Sequence, residues 1–129
     1  MPIDIQKSLA AGAINGALFY SMAPTNNMVV NVLGAIYSPP VWAVGIGVGA
    51  TVSAASDVAS AVNFPLTNLI PKSENMSGLL FNSMIHGIGN VALLYALNPN
   101  IFSDQGMSVF TALTIGGFSE FGAHMVTGA

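Results

Sequence analysis

The chain has 129 residues, of which 53% are hydrophobic and only 5% are charged, whereas about 25% are charged in soluble domains. A chain this short has a large surface for its volume, and such a small number of charged residues cannot cover that surface in water. We therefore predict an integral membrane protein of one domain. The net charge of −3 argues against a nucleic-acid partner, and the absence of cysteine excludes disulfides and thiol chemistry.

Four apolar segments follow one another along the chain, each close to the roughly 20 residues that cross the hydrocarbon of a bilayer. We predict four transmembrane helices, at about residues 5–23, 41–62, 77–97 and 107–127. Stretches rich in proline and asparagine separate these segments and indicate loops. Small residues from Gly45 to Ala61 recur at intervals of three and four, which favours helices over the alternating strands of a membrane barrel.

The first segment has a second interpretation, a cleaved signal peptide, because Ser21, Met22 and Ala23 resemble a cleavage site. A signal peptide needs basic residues before its apolar core, here Leu9 to Tyr20, and these are limited to Lys7 beside Asp4. We therefore favour a retained membrane helix.

Residues 28–37 are apolar but too few to span a bilayer, and two prolines follow at Pro39 and Pro40. We interpret this segment as a short interfacial or re-entrant helix. The alternative is an extension of the second span with a kink at the prolines.

Both lysines of the chain, Lys7 and Lys72, fall on the same side of a four-span protein, together with both termini. The positive-inside rule then predicts that both termini are cytoplasmic or lie on the equivalent side of another membrane.

The first and third segments are similar at an offset of 75 residues. Residues 12–24 align with residues 87–99 without a gap, and glycine, asparagine, alanine, leucine, tyrosine and proline coincide at six positions. The second and fourth segments align more weakly at an offset of 63, which matches Thr51 with Thr114 and Asp57 with Glu120. This pattern predicts two duplicated helical hairpins related by an axis along the membrane normal, with chance similarity as the alternative.

Every predicted helix carries one stripe of small or polar residues, a pattern that lets two helix backbones approach closely in a membrane. We interpret the stripe as a packing surface, with a pore-lining face as the alternative. The predicted helix-packing residues are Gly12, Gly16, Gly45, Gly49, Ser53, Gly87, Gly116 and Gly117.

Ionisable and amide side chains also occur inside the predicted spans, where an acid at the helix centre costs about 2.5–3.5 kcal/mol unless it faces the bundle interior or is paired. We interpret them as a hydrogen-bond network that fixes helix packing. The alternatives are a proton or ion path and contacts with a partner subunit. The predicted intramembrane polar cluster comprises Asn15, Asp57, Asn82, His86, Asn90, Glu120 and His124.

Metal binding and catalysis receive little support from the sequence. Glu120 and His124 share a helix face as metal ligands do, but this spacing occurs once and the third segment offers asparagine where a second acid is needed. The chain also lacks a phosphate-binding loop and a nucleophile elbow. We expect no metal, no cofactor and no enzymatic activity.

The sequence therefore favours a small polytopic structural protein that packs as a subunit into a larger membrane assembly, such as the internal membrane of a virion or a multi-subunit membrane complex. Its expected partners are lipid, other membrane or capping subunits, and further copies of the chain. The alternative is an oligomeric ion or proton channel that uses Asp57, Glu120, His86 and Asn90.

Overall fold

A computed structural model describes residues 3–23, 26–61, 76–103 and 107–128. Within these ranges the chain forms four α-helices, one on each predicted apolar segment, which confirms four helices at these positions. They are α1 (Ile5–Met22), α2 (Val41–Ala61), α3 (Met76–Leu97) and α4 (Val109–Thr127). Residue 62, the predicted end of the second segment, lies outside the described residues.

Side-chain and backbone caps set the ends of two helices. Asp4 accepts a hydrogen bond from the backbone N–H of Lys7 at 3.0 Å at the start of α1, and Ser108 accepts one from Thr111 at 3.3 Å at the start of α4. Such caps satisfy N–H groups that have no partner within the helix. Gly128 ends α4 with a φ of 74°, a left-handed conformation that glycine adopts without steric cost.

The segment predicted as a short helix, 28–37, is a β-hairpin, so that prediction is wrong. Strands β1 (Val30–Val32) and β2 (Ala35–Tyr37) pair antiparallel, and Leu33 and Gly34 form the two-residue turn between them. Valine and isoleucine make up three of the six strand residues, and β-branched side chains favour extended backbone. A glycine at the second turn position permits the positive φ that a two-residue hairpin requires.

The helices pack as an antiparallel bundle, with α1 between α2 and α4, and α3 mainly against α4; α2 and α3 pack more loosely. We call the two ends of the bundle the hairpin end, where β1 and β2 lie, and the terminal end, where α1 begins and α4 finishes. The hydrophobic core lies towards the hairpin end. It comprises Phe19, Met28, Val30, Val41, Val44, Val48, Leu94, Ile101, Met107, Ala112 and Ile115.

Among the described helices, α2 and α3 are long and apolar enough to cross a membrane, over Val41–Val58 and Gly78–Leu97. The same test does not select α1 or α4, which carry Lys7, Asn15 and Glu120 within their length.

Candidate functional site

Seven of the ten buried polar residues in the described part of the chain form two adjacent layers, and the other three are the serines Ser8, Ser53 and Ser83. The first, which we call the carboxylate layer, lies towards the terminal end and comprises Lys7, Asn82, His86 and Glu120. The second, which we call the amide layer, lies near the middle of the helices and comprises Asn15, Asn90 and Ser119. All seven side chains belong to residues that are at most 9% exposed.

Glu120 is the centre of the carboxylate layer and is completely buried. Its Oε1 lies 2.7 Å from Lys7 Nζ and accepts a hydrogen bond from Asn82 Nδ2 at 3.1 Å. Its Oε2 lies 3.2 Å from His86 Nε2, although it accepts no hydrogen bond of good geometry from the described residues. One carboxylate therefore joins α1, α3 and α4.

Both ring nitrogens of His86 face oxygen atoms. Its Nδ1 is 3.0 Å from the backbone oxygen of Asn82, and because a carbonyl oxygen only accepts, Nδ1 carries hydrogen. The other ring nitrogen, Nε2, faces the Glu120 carboxylate. His86 therefore lies between the backbone of α3 and the carboxylate from α4.

The amide layer links the backbones of α2 and α4 through two asparagines. Asn15 Nδ2 donates to the Gly45 oxygen at 2.6 Å and to Asn90 Oδ1 at 3.1 Å, while Asn90 Nδ2 donates to the Ala112 oxygen at 2.8 Å. Ser119 Oγ donates to Asn15 Oδ1 at 2.9 Å. These bonds connect all four helices and satisfy amide groups that would otherwise be costly to bury.

Glycines allow the asparagines to reach the neighbouring helix. A Cβ on Gly49 would lie 2.6 Å from Asn15 Cβ, and one on Gly116 would lie 2.8 Å from Asn90 Cβ. Since real Cβ atoms are not found so close to other heavy atoms, any side chain at Gly49 or Gly116 would displace an asparagine.

The other predicted packing residues also lie at helix contacts. A Cβ on Gly12 would meet the Ile46 oxygen at 2.9 Å, and one on Gly87 would overlap the Leu113 oxygen. A Cβ on Gly45 would lie 2.8 Å from Gly16 Cα, whereas one on Gly117 would be at 3.4 Å from the nearest atom, an ordinary contact distance. Ser53 is buried.

Equivalent contacts in the two helical hairpins, α1–α2 and α3–α4, correspond at an offset that differs from the one in the sequence alignment. Asn15 and Asn90 differ by 75, but the carbonyls they bind, Gly45 and Ala112, differ by 67 (112 − 45), as do Gly49 and Gly116 (116 − 49). The offset of 63 for the second and fourth segments is therefore wrong. The difference between the two offsets, 75 − 67 = 8, equals the eight residues of 30–37.

Two predicted members of the polar cluster lie outside both layers. Asp57 is half-buried near the terminal end, and its Oδ2 accepts a hydrogen bond from the backbone N–H of Asp4 at 2.9 Å. His124 lies one turn beyond Glu120, and its Nδ1 is buried without a hydrogen-bond partner among the described residues. The pairing of Asp57 with Glu120 fails because it came from the incorrect offset.

Sequence reasoning missed Lys7 and Ser119. We used Lys7 only as an orientation signal and left it out of the polar cluster, whereas only 11% of its side chain is exposed. A signal was present, because Lys7 aligns with Asn82 at the offset of 75 and both bind the same Glu120 oxygen (82 − 7 = 75). Ser119 adjoins Glu120 and carried no separate signal.

The polar interior does not cross the described part of the bundle. Between the layers lies a cavity of about 10 Å³ lined by Asn15, His86, Asn90 and Ser119, enough for a single water molecule. Beyond the amide layer, towards the hairpin end, the interior is filled by the hydrophobic core.

Among the described residues, no group of three or more histidine, aspartate and glutamate side chains is placed to hold a metal ion. Comparisons with protein-family models, with curated proteins and with solved structures found no match.

Proposed function

We propose that this chain is a four-span integral membrane protein that packs as a structural subunit of a larger membrane assembly. The observation that carries the proposal is a reversed distribution of polarity. Large apolar side chains such as Ile88 and Phe118 are more than half exposed, whereas the charged Glu120 is completely buried. Water would penalise both features, and hydrocarbon favours both.

The same reversal extends to α1 and α4. The polar residues that lower their overall hydropathy, Lys7, Asn15 and Glu120, face the interior. The side chains that these two helices expose are mostly apolar, with Leu9 and Phe110 among the most exposed. We therefore treat all four helices as spans. On this reading both termini lie on one side, which the positive-inside rule makes cytoplasmic.

The proposed structural role is supported by the partners of the buried polar groups. Both layers join helices to one another, and the amide groups bind backbone carbonyls inside the bundle. In a membrane such interhelical hydrogen bonds hold helices together where no hydrophobic force between them exists. The outward faces remain available to lipid, to other membrane or capping subunits, or to further copies of the chain.

The spans are testable by cysteine mapping, because the chain has no cysteine. Single variants Ile3→Cys, Gly128→Cys and Ser103→Cys in membrane vesicles are treated with a membrane-impermeant maleimide. We expect Ile3→Cys and Gly128→Cys to react from one side and Ser103→Cys from the other, and the protein to resist alkaline carbonate. Labelling of all three from one side, or extraction by carbonate, would contradict a four-span protein.

The subunit role needs a separate test on natural membranes. After extraction in mild detergent, a structural subunit migrates on a native gel with a mass well above that of the 13.2 kDa chain. Mass spectrometry of that band identifies the partners. Migration as a lone chain in several mild detergents would contradict the role.

A proton conductor is the second candidate, favoured by the contact of Lys7, His86 and Glu120 in one layer. Against it, the hydrophobic core leaves no polar route to the hairpin end through the described interior. We expect proteoliposomes with the wild-type chain to show the same proton flux as those with Glu120→Gln. Flux in the wild type that disappears in Glu120→Gln would replace the structural role with conduction.

A further inference from the structure

Leu33, at the tip of the β-hairpin, has an unfavourable backbone conformation and an apolar side chain that is exposed. Leu33 and Gly34 both have positive φ, 52° and 85°, as in the turn that favours asparagine followed by glycine. Leucine is a poor choice for this conformation, because its Cβ is crowded there. The Leu33 side chain is also fully exposed. A strained, exposed residue of this kind suggests a function for the tip.

The rest of the hairpin surface is apolar as well. The large side chains exposed from residue 29 to residue 37 are Val29, Val32, Leu33, Ile36 and Tyr37. The Asn31 side chain is engaged within the hairpin, where its Oδ1 accepts a hydrogen bond from Gly34 N at 3.1 Å. The sequence contains no charged residue between Ser8 and Ser56. This surface therefore offers nothing for an ionic partner.

Aromatic side chains place a membrane boundary at the same end of the bundle. The single tryptophan of the chain, Trp42, and its three tyrosines, Tyr20, Tyr37 and Tyr95, all lie near the hairpin end. Each is exposed. Tryptophan and tyrosine are enriched where the hydrocarbon of a bilayer meets its headgroups. The hairpin accordingly starts at the level of that boundary.

The hairpin is also continuous with the lateral surface of the bundle. Val30 and Val32 line a groove of about 320 Å³ together with Gly47 and Thr51 of α2 and Leu93 of α3. The groove is open at Gly47, where no described atom would lie within 4 Å of an added Cβ. The apolar surface of the hairpin thus extends the face that the helices present to lipid.

We propose that residues 30–37 are a lipid anchor, which inserts Leu33 and its apolar neighbours into the boundary region of one leaflet at the hairpin end. The absence of charge points to the upper hydrocarbon of the bilayer as the binding partner, independent of anionic headgroups. The inference rests on the proposed membrane location. In the second helical hairpin, the described part of the connection between α3 and α4 contains a short 3₁₀ helix, Pro99–Phe102, and no β-strand, so the anchor belongs to one half of the bundle.

Tryptophan fluorescence in vesicles tests the anchor. In a Trp42→Phe background, Leu33→Trp reports on the hairpin tip and Ile88→Trp reports on the exposed middle of α3. Vesicles of phosphatidylcholine carry bromine either high or low on the acyl chains, and iodide is added to the water. We expect Leu33→Trp to emit at short wavelength, to be quenched most by bromine near the headgroups, and to be shielded from iodide.

The two reporters separate the possible failures. If Ile88→Trp is quenched by brominated lipid while Leu33→Trp is quenched by iodide, the anchor is overturned and the membrane location stands. If neither bromine position quenches Ile88→Trp, the membrane location itself fails. If Leu33→Trp is shielded from both iodide and brominated lipid, protein covers the tip, and a second copy or partner replaces lipid.

A further variant keeps the hairpin but changes its tip. Leu33→Asn suits the turn better than leucine, so the strands are retained. With Ile36→Trp as the reporter in the Trp42→Phe background, Leu33→Asn should increase quenching by iodide and decrease quenching by bromine near the headgroups. Unchanged quenching of both kinds would mean that Leu33 does not anchor the hairpin.

Discussion

Replacing Lys7 with methionine removes the nearest positive charge from the buried Glu120 carboxylate. The two side chains are 2.7 Å apart, and Glu120 has no exposure to water through which the lost charge could be compensated. Asn82 and His86 remain as its neighbours. The expected result is a large loss of stability that a second change at Glu120 restores.

The size of the effect follows from burial. Removing one partner of a buried ion pair costs about 3–5 kcal/mol, because it leaves an uncompensated charge, and we expect about 3 kcal/mol for Lys7→Met. Glu120→Gln should cost less, since the Lys7 side chain is 11% exposed near the terminal end and its long stem lets the ammonium group reach water. The double variant should be close to the wild type, because a neutral pair needs no compensation.

The assay is unfolding of the purified protein in mild detergent by added SDS, followed by far-UV circular dichroism. Gln6→Met is a matched control, because Gln6 is the exposed neighbour of Lys7. Its effect should be within about 0.5 kcal/mol of zero. If the double variant loses the sum of the two single losses to within about 0.5 kcal/mol, Lys7 and Glu120 do not interact, and the description of the carboxylate layer is wrong.

Two other pairs of variants test the helix contacts with the same assay. Gly47→Ala should stabilise by up to about 1 kcal/mol, through helix propensity alone, whereas Gly49→Ala should destabilise by about 1–3 kcal/mol, because its Cβ would lie 2.6 Å from Asn15 Cβ. Equal stability of the two would contradict the close approach of α1 and α2. Asn90→Ala should cost about 1 kcal/mol as it removes bonds to Asn15 and Ala112. Asn100→Ala, exposed in the short 3₁₀ helix Pro99–Phe102 before α4, should be neutral. A neutral Asn90→Ala would show that the amide layer does not stabilise the bundle.

Much of the helical architecture could be predicted because the relevant signals are local. Apolar length defines a helix of about 20 residues whatever its neighbours are, and the stripe that includes Asn15 follows from the helical repeat alone. The alignment of Asn15 with Asn90 at an offset of 75 also needs only the sequence, and the structure places these two side chains 3.1 Å apart. Five of the seven predicted cluster residues lie in the two layers.

Composition could not distinguish a β-hairpin at residues 28–37 from a short helix, because valine and isoleucine occur in buried helices as well as in strands and the segment is only ten residues long. Its turn depends on the positive φ of Leu33, a position where the sequence carries no asparagine as a signal.

The sequence by itself determined where the four helices lie, which residues line one stripe of each, and that the first and third helices resemble each other. Only the tertiary structure decided which stripes meet. Lys7 lies against Glu120, whereas Asp57 lies against the backbone of Asp4. Periodicity specifies the face of a helix, but the axial level at which two faces meet depends on the path of the connecting segments and on close glycine contacts, which only the folded bundle defines.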